Sequence, residues 1–202
     1  MIVLVRHGET EGNAARVLQL PDAQLNARGL AQAERLGLRL AKLGVTRVLC
    51  SDFVRARMTA APLERATGLC AELVAELQER NFGALRGRSY AEIGRDIFAA
   101  DFAPEGGETI AVFDARVALA WRRVLTAARE TTGNLVVITH GLVCGSIARC
   151  FLHLPAPLQS PGRWGNTSVT SCAVEPPHTV ELLNDVAHLE LGDDDVRSPS
   201  GM

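Results

Sequence analysis

Arg6-His7-Gly8-Glu9-Thr10 follows directly on the apolar run Met1-Ile2-Val3-Leu4-Val5. A second pair, His140-Gly141, follows the run Asn134-Leu135-Val136-Val137-Ile138-Thr139. The two segments echo each other: a buried strand, a histidine, then a glycine that lets the chain turn. Short β-branched runs of this kind read as fully buried strands of a parallel sheet. Such sheets bind their ligands in the crevice outside the carboxyl ends of the strands. Two histidines at two strand ends, with Arg6 beside the first, describe an electropositive site suited to an anion, and phosphate is the natural candidate.

The elements that would position those residues alternate along the chain. Ile2 to Val5 is the first strand, and Gly8 to Asp22 a polar loop. Leu30, Ala33, Leu36, Leu40 and Leu43 recur at helical spacing over residues 26–43, with Asn26 as N-cap and Gly44 as the stop. Val45 to Cys50 is a strand, Phe53 to Ala66 a helix with its exit at Gly68, and Leu73 to Leu77 an extended segment. Gln78 to Arg88 is a charged, glycine-bearing loop, and Pro104 to Gly107 a turn. Ile110, Phe113, Val117, Trp121, Val124 and Ala128 form one core-facing stripe of a long helix starting at Thr109. Leu135 to Thr139 is a strand, Leu142 to Leu152 a helix, and Val169 to Val174 and Val180 to Leu183 two late strands joined through Pro176-Pro177. This alternation predicts an α/β fold, a three-layer α/β/α sandwich around a mostly parallel central sheet.

Composition narrows the class. With 202 residues the expectation is one domain, over residues 1–191, with 192–202 as a flexible acidic tail. A formal charge of −2 and no block of Lys or Arg argue against a nucleic-acid surface. The first apolar run is too short for a signal peptide, and no stretch is long enough to span a membrane. The five cysteines, Cys50, Cys70, Cys144, Cys150 and Cys172, are scattered without a C-x-x-C, so they read as reduced thiols in a cytoplasmic protein, with no zinc site.

Leu4-Val5-Arg6-His7-Gly8-Glu9-Thr10, with Asn13 beyond it, resembles the signature of the histidine phosphatase superfamily, which includes the cofactor-dependent phosphoglycerate mutases. Further blocks follow in family order. Ser51 to Ala60 resembles the second block, whose arginine grips phosphate. Leu77-Gln78-Glu79-Arg80-Asn81-Phe82-Gly83 resembles the block that supplies the acid. Gly106-Gly107-Glu108-Thr109 resembles the turn before the long helix, and Thr139-His140-Gly141 the second histidine block. Asn166-Thr167-Ser168 and Leu183 to Leu189 resemble the closing segments. One R-H-G would be weak evidence; ordered blocks reaching to about residue 190 are strong.

The resemblance implies roles. His7 is the nucleophile that becomes a phosphohistidine, its Nδ1 proton held by a nearby backbone carbonyl so that Nε2 attacks. Arg6, Asn13, Arg55 and His140 bind the phosphate, the arginines offering planar donors to its oxygens. Glu79 protonates the leaving oxygen and then deprotonates water, which calls for a raised pKa. Arginines stand where other phosphatases use metal, so neither metal nor cofactor is implied. Taken singly, each residue has a plainer reading: a structural histidine, a surface arginine at a helix start, ordinary loop charge. The ordered blocks promote them. Arg57, Arg86 and Arg88 read as solvated charge, with Arg80, Arg86 or Arg88 as alternatives for the substrate mouth. His153, His178 and His188 read as structural or exposed, and Trp164 as a packing or gating residue.

The mutases carry an insertion with paired arginines and a proline-rich stretch between the glutamate block and the second histidine. Here only Arg88 to Pro104 separates the acid loop from the Gly106-Gly107 turn, and Arg122-Arg123 lies on the long helix instead. Less enclosure admits water to the phosphohistidine, so the reading favours a phosphomonoester phosphatase acting on a small phosphorylated metabolite. Gly106 to Thr109 followed by Phe113-Asp114-Ala115-Arg116-Val117 also resembles the α-ribazole phosphatase branch. A phosphoglycerate mutase and a non-enzymatic phosphate-ester binding module stand as alternatives, and a homodimer is kept open as the assembly.

Overall fold

The computed structural model describes residues 1–190 apart from 95 and 100; the expected acidic tail lies outside the described residues. Six strands form one sheet in the order β3-β2-β4-β1-β5-β6. They are β1 (Ile2–Arg6), β2 (Val45–Cys50), β3 (Glu72–Leu73), β4 (Asn134–Thr139), β5 (Val169–Cys172) and β6 (Val180–Asp185). The pairs from β3 through β1 are parallel, and β5 and β6 add antiparallel. The helices are α1 (Glu11–Ala14), α2 (Ala27–Ala41), α3 (Val54–Thr67), α4 (Tyr90–Ile93), α5 (Ile110–Glu130) and α6 (Gly141–Phe151). The fold is the expected three-layer sandwich.

Both faces of the sheet are covered because the central strands are apolar at every position. Side chains alternate across a strand. Ile2, Leu4, Leu135 and Val137 therefore join Phe113, Val117, Trp121 and Val124 of α5 on one face. Val3, Val5, Val136 and Ile138 join Leu36 and Leu40 of α2 and Ala56, Ala60 and Leu63 of α3 on the other. The β1–β4 register sets Arg6 opposite Thr139, and the His7 amide donates to the Thr139 carbonyl at 2.9 Å. His7 and His140 consequently leave adjacent strands side by side.

Three local expectations change. Leu30 does not join the core stripe of α2, being 46% exposed. Gly29 takes the inner position, because a Cβ there would sit 2.0 Å from the Glu9 carbonyl oxygen. The loop after β1 contains the short helix α1, capped by Thr10, whose side chain accepts from the Asn13 amide while Asn13 caps back onto the Thr10 amide. Residues 73–77 are not one extended run: β3 is two residues long and a 3₁₀ turn follows over Ala75–Leu77. That turn carries Leu77 into the core and delivers Glu79 to the strand ends.

Candidate active site

A cavity of about 390 Å3 opens at the carboxyl ends of β1 and β4, and Arg6, His7, Asn13, Arg55 and Glu79 all line it. His140 is fully buried against His7, with its ring centroid 5.1 Å from that of His7 in an edge-to-face arrangement. All six residues picked out from the sequence thus gather at one place.

His7 Nδ1 lies 2.7 Å from the Gly8 carbonyl oxygen. A carbonyl only accepts, so Nδ1 carries the proton and Nε2 holds the lone pair. The Arg55 Nε–H donates to Nε2 at 3.3 Å. Burial, then Arg55 and Arg6, hold His7 well below its ordinary value, so the ring is neutral near pH 7. The Gly8 amide donates to Thr59 Oγ1, and that hydroxyl donates to the Arg55 carbonyl, tying the first turn of α3 to the nucleophile's loop.

Arg55 is 1% exposed, donates from Nη1 to the Leu20 carbonyl, and stands 4.9 Å above the Phe53 ring. Burial lowers it to about 10, which leaves it charged at neutral pH. Arg6 donates from Nη1 to the Trp164 carbonyl, and its Nε has no partner. His140 Nε2 contacts the Ser51 hydroxyl at 2.8 Å, while its Nδ1 is buried without a partner. Ser51 Oγ accepts from the Phe53 amide and keeps its own proton to give to His140 Nε2; in that tautomer Nδ1–H is a donor. Buried donors without partners are uncommon, and two of them beside one histidine mark a site built for an anion. Asn13 Oδ1 accepts from the Thr10 amide and Asn166 Nδ2, which leaves its own amide NH2 for the cavity.

Glu79 accepts at one oxygen from the Arg80 amide and at the other from the Leu142 amide, in the first turn of α6. Burial raises its pKa against these donors and against Arg55 and Arg6. Its loop is pinned from below. Arg116 on α5 donates to the carbonyls of Glu76, Gln78 and Glu79 and grips Glu108 with Nε and Nη2, while Glu108 accepts from the Asn81 amide. Glu9 is engaged elsewhere, by Asn26 and Arg28, and is not on the cavity wall.

A model of the histidine phosphatase superfamily (branch 1) matches residues 2–186. The chain belongs to that superfamily. Among similar histidine phosphatases and their relatives is a probable phosphoglycerate mutase of Erwinia tasmaniensis, 31% identical over 94% of this chain and 94% of its own length. The structure of a mycobacterial glucosyl-3-phosphoglycerate phosphatase in complex with VO3 superposes with a TM-score of 0.73, at 25% identity over 89% of this chain and 94% of that one. A putative α-ribazole-5′-phosphate phosphatase from Escherichia coli shares the histidine phosphatase fold, with a TM-score of 0.77 at 24% identity over 92% and 96% of the two chains.

Several residues that organise this histidine phosphatase site were not singled out by residue type. Ser51 orients His140, Thr59 joins Gly8 to Arg55, and Asn166 donates to both the His7 carbonyl and Asn13. His188, read as structural or exposed, is structural and buried: its Nδ1 accepts from Arg39, its Nε2–H donates to Thr167 Oγ1, and the Thr167 amide donates to the His7 carbonyl. Arg80 lines the cavity, but its guanidinium is taken up by the carbonyls of Ile97, Phe102 and Glu108. Arg86 lines the cavity, while Arg57 and Arg88 are exposed charge. Trp164 is 6% exposed, packs with Cys144 and Ala148, and reaches the cavity.

Proposed function

We propose that this histidine phosphatase is a cytoplasmic phosphomonoesterase that hydrolyses a small phosphorylated metabolite through a phosphohistidine on His7, within a single domain over residues 1–191. The observation that carries the reading is the pinned imidazole: Nδ1 committed to the Gly8 carbonyl, Nε2 turned to Arg55, and a carboxyl raised by burial in the same cavity.

In the first step His7 Nε2 attacks phosphorus, the bond to the leaving oxygen breaks, and the Glu79 proton passes to that oxygen. Arg6, Arg55, Asn13 and His140 Nδ1–H stabilise the equatorial oxygens of the transferring group. In the second, Glu79 takes a proton from water, the water oxygen attacks phosphorus, and the P–N bond breaks to release phosphate and neutral His7. The guanidinium groups supply the positive charge, so the cycle is proposed to run without metal. Among the described residues no helix is long and apolar enough to cross a membrane.

The likeness to the Erwinia protein favours a second reading, phosphoglycerate mutase. Hydrolysis is preferred because the chain between Arg88 and Pro104 carries no paired-arginine cover. It folds instead onto Leu18 and Phe82 through Ile97 and Phe102. The purified protein, assayed on a panel of metabolite phosphates and on 3-phosphoglycerate with a bisphosphate primer, should release inorganic phosphate. A denaturing alkaline quench should trap a phosphoenzyme that survives alkali and is lost in acid. Interconversion of phosphoglycerates outrunning phosphate release would overturn the hydrolytic assignment.

A further inference from the structure

The cavity holds more positive charge than one phosphate ester needs. Arg6, Arg16, Arg55, Arg80, Arg86 and Arg163 line it, against the single carboxyl of Glu79. Arg6 and Arg55 match the transferring phosphoryl group, and Arg80 is taken up by three backbone carbonyls. The side chains of Arg16, Arg86 and Arg163 make no hydrogen bond or ion pair among the described residues. Arg86 is half-buried, and the Glu108 carboxylate offsets its charge. Arg16 and Arg163 are exposed and make the rim, lining the cavity together with Tyr90.

These two rim arginines are held by the backbone. Arg16 sits at φ 56, a conformation that side chains other than glycine seldom take. It is kept there by the Tyr90 amide donating to its carbonyl and by the antiparallel bridge between Val17 and Ser89. Arg163 is fixed through its carbonyl by Asn184, next to Trp164, whose own carbonyl holds Arg6. Tyr90 and Phe98 stack at 6.5 Å with 28° between their planes, and both line the same outer wall. Neither rim guanidinium has a carboxylate partner among the described residues, so both remain available to an anion that a ligand brings.

We propose that the outer half of the cavity binds a second anionic group, a carboxylate or phosphate carried by the leaving alcohol, between Arg16 and Arg163 and beside the Tyr90–Phe98 pair. The preferred substrate is then a phosphomonoester whose leaving group is itself an anion. This rests on the phosphatase reading for turnover but not for binding, so the test begins with ligands that cannot be cleaved.

Titration calorimetry should compare 4-carboxybenzylphosphonate with its isosteric amide, 4-carbamoylbenzylphosphonate. The carboxylate should bind about ten- to a hundred-fold tighter, the range for one charge-assisted contact. The paired phosphonate 1,4-phenylenebis(methylphosphonate) separates the two anion types: tighter binding than the carboxylate assigns a phosphate site, weaker binding a carboxylate site. In the double variant Arg16→Gln/Arg163→Gln the preference over the amide should fall to about one, with thermal unfolding reporting that the fold holds; Arg86→Gln should keep the preference. The same ratio should appear in kcat/KM for 4-carboxyphenyl against 4-carbamoylphenyl phosphate. Equal binding of carboxylate and amide by the unaltered protein, or a preference that survives the double variant, would overturn the subsite. Selective binding with no ester turnover would instead overturn the phosphatase reading and leave the subsite standing.

Discussion

Replacing Glu79 by glutamine separates proton donation from every other contribution of the site. The carboxyl accepts the Arg80 amide at one oxygen and the Leu142 amide at the other, so a glutamine keeps one acceptor and turns an NH2 toward a backbone donor. That costs about 1–3 kcal/mol of stability, the penalty for one unsatisfied buried donor. It does not enter the rate as long as the assay runs below the unfolding transition. Loss of the acid should cost about 10²–10⁴-fold, or roughly 2.7–5.4 kcal/mol of barrier, for esters whose leaving alkoxide must be protonated. An aryl phosphate with an acidic phenol departs without a proton and should lose little. The comparison belongs in single-turnover rapid quench, which isolates phosphoryl transfer from the hydrolytic step that also uses Glu79. The pH profile gives a second reading. Glu79 acts protonated and its pKa is raised, so kcat/KM should fall as pH climbs through that value, and the glutamine variant should lose that limb. Equal losses for alkyl and aryl esters in the first step would remove Glu79 from the acid role. Glu9 would not replace it, since Asn26 and Arg28 hold it away from the cavity.

Further outcomes are expected. His7→Ala should abolish turnover and phosphoenzyme formation while circular dichroism stays unchanged; a surviving acid-stable phosphoenzyme would show that another side chain attacks. Vanadate should inhibit and EDTA should leave turnover intact, whereas activity lost to EDTA and restored by a divalent cation would refute the metal-free cycle. Gly29→Ala should lower stability by at least about 1–3 kcal/mol in thermal unfolding, because its methyl meets the Glu9 carbonyl at 2.0 Å. His188 is lowered to about 4 by burial and Arg39, so below its unfolded value near 6.5 the unfolded chain binds the extra proton. Stability should therefore fall as pH drops from about 6.5 toward 4; buried His7 and His140 share in that slope, so His188→Gln should reduce it by one proton's share, and an unchanged slope would show that His188 does not contribute.

The sheet and its reactive tips were legible because local sequence determines them. β1 and β4 are continuous apolar runs, and the turn after each begins with a histidine and a glycine. Arg55 and Glu79 were legible only through the order of the blocks, since nothing local distinguishes a helix-start arginine or a loop glutamate. What escaped depends on partners far along the chain. Leu30 has helical spacing but yields its inner position to Gly29, a choice made by the approach of Glu9. Ser51 matters through His140, Arg116 through the carbonyls of 76–79, and His188 through Arg39 and Thr167. The extended segment at 73–77 was drawn too long because the two residues of β3 carry no periodicity, and α1 was missed because four residues cannot show a helical stripe.

The cavity is built from two kinds of material. Its inner end hangs on strand register: His7 and His140 follow paired positions of β1 and β4, and Arg55 lies in the first turn of a packed helix. Its outer wall comes from surface segments around residues 16–19, 86–90 and 162–164, with Phe98, and the first two are stitched to each other by backbone bonds from Leu18 and Tyr90. Drift in those segments can re-tailor which ester fits while the phosphoryl chemistry stays inherited. A lineage could thus change its diet without relearning how to cut. Grafting the outer segments of one relative onto the sheet of another should move substrate preference as a unit.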